Sequence, residues 1–218
     1  MMNERAVVFD FNGTLFWDTK QQNDSWDQFL TKYNFRLSAE EKTTWVHGIN
    51  AKDTFEYLFK RECTDDEVFR LTEEKEVIYR EMCLEGKMEL APGAQSLIGF
   101  LKSNGIKIAI ATAAGKNNVE FFIEHFNLLA YFDRENIIYN DGTVRGKPHP
   151  DLFNKAIEQL RVDKKQVTIF EDSLAGIEAA KNSGAGNVVV VNGNNEHHGI
   201  FNFPVIKDFN EFDRSVFN

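Results

Sequence analysis

The stretch FDFNGTLFWDT, residues 9–19, closes an apolar run, AVVF, at Asp10 and moves within two residues to Asn12, Gly13 and Thr14 before turning polar. A short run of β-branched and apolar residues that stops at an acid and a turn-forming pair reads as a buried parallel strand ending at Asp10. Three later segments repeat the pattern: IKIAIAT ending at Thr112, VTIFED ending at Asp172, and NVVVVN over residues 187–192. Helical patterns alternate with them. PGAQSLIGFLKSNG runs from Pro92 to Gly105 with Pro at its start and Gly at its end, and HPDLFNKAIEQLRV and DSLAGIEAAKNSG follow the later strands. This alternation specifies an α/β fold with a mostly parallel sheet.

The chain between the first strand and the rest differs in kind. WDQFLTKYNF, DTFEYLF and EVFRLTEEKEVIYREMCLEG space their apolar residues as amphipathic helices and show no strand among them. The expected organisation is therefore an α/β core over residues 1–17 and 88–218 with an all-helical cap over 18–87. An insertion at that point of the chain is naturally a lid over the carboxyl edge of the sheet.

Composition narrows the function. With 218 residues and 42% hydrophobic content the chain can bury a full core and a second small domain. A net charge of -9 argues against a nucleic-acid surface, which needs clustered Lys and Arg, and leaves a small anionic substrate in a locally positive pocket. Cys63 and Cys83 are the only cysteines, too few for a disulfide framework and without metal-ligand spacing. Glu4 and Arg5 precede the first apolar run, so neither a signal peptide nor a membrane span is read there. These features point to a cytoplasmic, monomeric protein without a nucleic-acid or membrane partner.

In open α/β sheets ligands bind beyond the carboxyl ends of the strands. Those ends carry Asp10, Thr112 and the pair Glu171 and Asp172, and GKPHPD places Lys147 just before a helix. Taken singly, Asp10 reads as a turn former, Thr112 as a helix cap, Lys147 as a solvated charge, and Glu171 and Asp172 as caps for the helix at Ser173. Taken together, they form an edge able to hold a divalent cation and a phosphate.

In this order the motifs DFNGTL, AIAT, GKPHPD and FEDSLAGIEAAKNSG resemble the haloacid dehalogenase superfamily, more narrowly its β-phosphoglucomutase-like branch. The resemblance implies a Rossmann-like core with an inserted helical cap and a Mg²⁺-dependent phosphohydrolase acting on a small phosphorylated metabolite. It implies Asp10 as nucleophile, Thr112, Ala113 and Lys147 as phosphate-binding residues, and Asp10, Asp172, Glu171 and the Asn12 carbonyl as metal ligands. His47, Lys52 and Arg80 in the cap and Lys116 and Asn117 at the sheet edge are the implied substrate contacts. A sugar phosphomutase and a weakly catalytic phosphometabolite-binding protein are the alternatives.

Asn12 departs from the family pattern, which has a second acid there to protonate the leaving group and activate the incoming water or alcohol. An amide cannot move that proton. Asp18 or His47 could supply it, the protein could have kept the pocket and lost turnover, or the deamidation-prone Asn12-Gly13 pair could stand where an acid forms or was replaced. The retained nucleophile, lysine and metal acid favour a narrow hydrolase. Asp18-Thr19 also stands one residue later than the family's usual acid-hydroxyl pair, because Trp17 is interposed.

Overall fold

The computed structural model describes residues 4–46, 51–193 and 202–217, and of Ala39 and Thr43 the backbone alone. In chain order its elements begin with β1 (Ala6–Phe9), α1 (Thr19–Lys32), α2 (Ala39–Trp45), α3 (Ala51–Phe59), α4 (Asp65–Glu85), α5 (Ala94–Ser103) and β2 (Lys107–Ala111). There follow α6 (Lys116–His125), β3 (Ile137–Ile138), α7 (Asp151–Leu160), β4 (Val167–Glu171), α8 (Leu174–Ser183), β5 (Asn187–Val191) and β6 (Val205–Ile206). They fall into two compact units, Met1–Trp17 with Met88–Asn218, and Asp18–Lys87.

The first unit is a six-stranded sheet of order β3-β2-β1-β4-β5-β6, parallel throughout. Such a sheet is covered on both faces, and its strands read as continuous apolar runs for that reason. On one face Val8, Ala109, Ile169 and Val190 pack with Leu152, Phe153 and Ala156 of α7 and Ile177 and Ala180 of α8. On the other, Phe9 stacks on Phe170 at 5.2 Å, and Phe209 meets both rings. Each of these phenylalanines is fully buried, which stabilises the fold by about 1.5–3 kcal/mol apiece. Register then sets the site. Phe9 lies opposite Ile110 of β2 and Phe170 of β4, so Asp10, Thr112 and Glu171 leave the sheet at one edge.

The structure adds elements that the sequence pattern does not reveal. β3 and β6 contain two residues each and lie at the sheet's two edges, too short to show any period. Helix α1 begins at Thr19, well before WDQF, because its first turns are polar. Helix α2 opens on a reciprocal capping box between Ser38 and Glu41, and α4 on another between Thr64 and Glu67. No described helix is long and apolar enough to cross a membrane.

The second unit packs α1, α3 and α4 around Phe29, Leu30, Phe55, Leu58 and Leu71. Its interior also holds a polar chain. The Tyr79 hydroxyl donates to Asp18 Oδ2 at 2.6 Å, Gln22 Nε2 donates to the same oxygen at 3.1 Å, and Lys75 Nζ donates to Gln22 Oε1 at 2.7 Å. Asp18, Lys75 and Tyr79 are all buried. Burial and the neighbouring Asp18 push the Tyr79 phenol up, so its hydroxyl keeps the proton it donates. Tyr79→Phe should therefore cost about 1–3 kcal/mol of unfolding free energy, because it takes a donor from a buried carboxylate. Urea denaturation measures this, and an unchanged midpoint would show that Asp18 does not depend on that bond.

Candidate active site

The backbone of β1 ends by donating Asp10 N to Phe170 O at 3.0 Å, and the chain then folds into a tight loop. Gly13 N donates to Phe16 O at 2.7 Å and Phe16 N to Phe11 O at 2.9 Å. Phe11 stacks on Phe122 at 4.6 Å and Phe16 sits edge-on to Phe126 at 4.8 Å, which anchors the loop in the apolar interior. Gly13 has φ +83, and a Cβ on it would overlap the Asp172 carboxylate. Conformation and space thus both demand glycine there. The loop also steers Asp172, since buried Thr14 donates its hydroxyl to Asp172 Oδ1 at 3.0 Å.

Lys147 reaches this edge from the segment before α7. Its ammonium donates to Asp10 Oδ1 at 2.6 Å and to Glu171 Oε1. Glu171 is fully buried, and its Oε2 accepts Ser173 N at 2.6 Å and Ser173 Oγ at 3.1 Å. Thr112 is fixed by its own N–H, which donates to Ile138 O at 3.0 Å. Its hydroxyl accepts Ala114 N at 3.1 Å and faces Asn12 Oδ1 at 3.4 Å. Ala113, Lys116 and Asn117 are exposed just beyond, the latter two in the first turn of α6.

The charges do not balance. Asp10, Glu171 and Asp172 each offer an oxygen within 4.8 Å of the others, against the one ammonium of Lys147. Burial alone would discharge Lys147, but Asp10 and Glu171 outweigh it and raise its pKa. Burial raises the Asp10 carboxyl to about 7, with Lys147 opposing and Glu171 adding to the rise. Asp172 is raised well above the ordinary carboxylate range by burial, then by Glu171 and Asp10. An all-oxygen donor set with surplus negative charge fits a hard divalent cation such as Mg²⁺.

Other residues singled out in the sequence belong to the second unit or lie outside the described residues. Lys52 and Arg80 belong to the helical unit, where exposed Lys52 approaches Glu56 at 4.0 Å and Asp65 at 3.8 Å, and Arg80 pairs with Glu73. His47 lies outside the described residues. Asp18, a candidate proton donor, is committed to Tyr79 and Gln22. Thr14, Ser173 and Gly176 stand within DFNGTL and FEDSLAG, but their roles depend on how closely two loops approach, which no spacing displays.

A family model described as haloacid dehalogenase-like hydrolase matches residues 7–190. The phosphorylated carbohydrates phosphatase of Thermotoga maritima is 27% identical over 183 residues, 82% of this chain and 81% of that protein. The crystal structure of a HAD hydrolase, family IA, variant 3, from Entamoeba histolytica is similar with a TM-score of 0.89 at 34% identity, covering 97% of this chain and 96% of its own. A β-phosphoglucomutase from Clostridium difficile shares the fold, with a TM-score of 0.80 at 24% identity over 98% of this chain and 95% of its own.

The raised Asp10 pKa has a thermodynamic consequence. A folded value of about 7 lies above the ordinary unfolded one, so the stability this group contributes is complete below about pH 4 and is lost as pH rises through 7. Asp10→Asn should accordingly raise the melting temperature of the cation-free protein more at pH 8 than at pH 5. Calorimetric melts in chelator at the two pH values check this, and an equal gain at both would contradict it.

Proposed function

The chain belongs to the haloacid dehalogenase-like hydrolases, and on that premise we propose that it is a phosphohydrolase of small phosphorylated metabolites, working through an aspartyl phosphate on Asp10. The observation that carries the reading is the buried Asp10 carboxylate, held by Lys147 at 2.6 Å beside two further acids. Similarity to a phosphatase of phosphorylated carbohydrates supports sugar phosphates as the first class to try.

An Asp10 oxygen attacks phosphorus, the P–O bond to the alcohol breaks, and the phosphoryl group rests on Asp10. Water then attacks that phosphorus, phosphate departs, and the carboxylate is restored. Lys147 neutralises charge on the phosphoryl oxygens, and the Thr112 hydroxyl and Ala113 backbone orient them. Asp10, Asp172 and the Asn12 carbonyl would hold Mg²⁺, which when bound supplies further positive charge to the phosphoryl oxygens. Glu171 is near enough to join that set, yet its oxygens already meet Lys147 and Ser173.

Asn12 limits the chemistry. The departing alkoxide needs a proton and the attacking water must lose one, and a side-chain amide does neither. General acid-base help is worth ~10²–10⁴ in rate, so activated phosphates should be the better substrates. The same residue supports a second reading, a phosphometabolite-binding protein with little turnover.

Phosphate release from a metabolite panel with Mg²⁺, beside Asp10→Ala, tests the function. Release above that control establishes the hydrolase, and binding of a phosphometabolite without release favours the second reading. Asn12→Asp should raise kcat for alkyl phosphates by ~10²-fold or more and for aryl phosphates much less. A uniform gain would mean that Asn12 acts on geometry and not on protonation.

A further inference from the structure

We propose that Ser173 is a positioning residue of this site, acting through Glu171 on Lys147, with Gly176 left bare to make room for the contact. The proposal rests on the phosphohydrolase reading and gives a role to residues that reading does not use.

Glu171 is fully buried, out of reach of bulk solvent. Its Oε1 meets Lys147, and its Oε2 accepts two donors from Ser173, the backbone N–H at 2.6 Å and the hydroxyl at 3.1 Å. The hydroxyl has one proton. Since the same oxygen accepts Gly176 N at 3.1 Å, its lone pair faces α8 and its proton is left for the carboxylate. Ser173 thereby fixes the rotation of the Glu171 carboxylate, and that plane determines where the Lys147 ammonium rests between Glu171 and Asp10. A Cβ on Gly176 would overlap Glu171 Oε1, so the first turn of α8 lies flat against the carboxylate. The ammonium has three donors and the two carboxylates take two, which leaves one N–H for a phosphoryl oxygen. If the Glu171 carboxylate turns, that N–H is misdirected.

Ser173 is also the N-cap of α8, so a change there affects helix stability as well. Ser173→Gly separates the two roles, because glycine is a tolerated cap yet has no hydroxyl. Ser173→Thr restores the hydroxyl. Gly184→Ala serves as the control for α8 stability: it lies at the far end of the helix with φ +75, where alanine is strained.

The experiment measures kcat and KM for the best panel substrate, well below the melting temperature of every variant. Ser173→Gly should lower kcat about tenfold, the scale of one hydrogen bond to a charged group, with KM within about twofold of the parent. Ser173→Thr should recover most of the loss. Gly184→Ala should lower the melting temperature and leave kcat unchanged. An unchanged kcat in Ser173→Gly, or an equal fall in Gly184→Ala, overturns the assignment. If the parent protein releases no more phosphate than Asp10→Ala, the hydrolase reading itself fails, and this role falls with it.

Discussion

The ammonium of Lys147, buried between Asp10 and Glu171, is the contact on which the strand-end edge depends. Removing an ion from water costs several kcal/mol even after the protein relaxes, whereas one ion pair at 4 Å returns about 4 kcal/mol at an effective dielectric of 20. A single carboxylate would thus leave a buried lysine close to break-even. Two carboxylates shift the balance, and the Lys147 pKa rises despite its burial. The acids gain less, because three of them share that one cation, and both Asp10 and Asp172 are displaced upward. The site is built with its counter-charge incomplete.

Holding like charges together needs a rigid frame, and the frame here is made of small residues and main-chain donors. Gly13 allows the β1 loop to pass close to Asp172, Thr14 then binds that acid, and Gly176 allows α8 to approach Glu171. None of these groups adds charge. Each fixes a carboxylate that would otherwise turn away from its neighbours. The Phe11 and Phe16 rings hold the loop from beneath, so apolar packing supplies the free energy that crowding the acids consumes. The interior of the sheet unit and the charges at its edge are in this sense one structure.

That division explains which parts were legible in the sequence. AVVFD, IKIAIAT, VTIFED and NVVVVN coincide with β1, β2, β4 and β5 to within one residue at each end, because a strand buried on both faces has to be apolar throughout. Asp10, Thr112 and Glu171 were legible as the polar residues that end or follow such runs. β3 and β6 were not, since two residues carry no period. The polar opening of α1 hides its start, while the SAEE stretch at Ser38–Glu41 carries a legible capping signature for α2. Thr14, Ser173 and Gly176 lay inside quoted motifs, but what they do is a matter of contact across 158 residues for Thr14 and across the α8 turn for the others.

On the phosphohydrolase reading proposed above, phosphate capture and proton transfer are separate tasks at this edge, with residues retained for the first and an amide at the position the second would use. Capture itself is conditional. Three carboxylates facing one ammonium repel a phosphate dianion for as long as their charge is uncompensated, so an acidic site can attract an anionic ester only when further positive charge accompanies it. A neutral Asn12 lightens that burden, since a fourth carboxylate beside Asp10 would add to the repulsion it has to overcome. On that proposal Asn12 would trade proton transfer for easier binding of the anion. That exchange suits a substrate whose leaving group departs without help, and it suits a protein whose main task is to hold the phosphate.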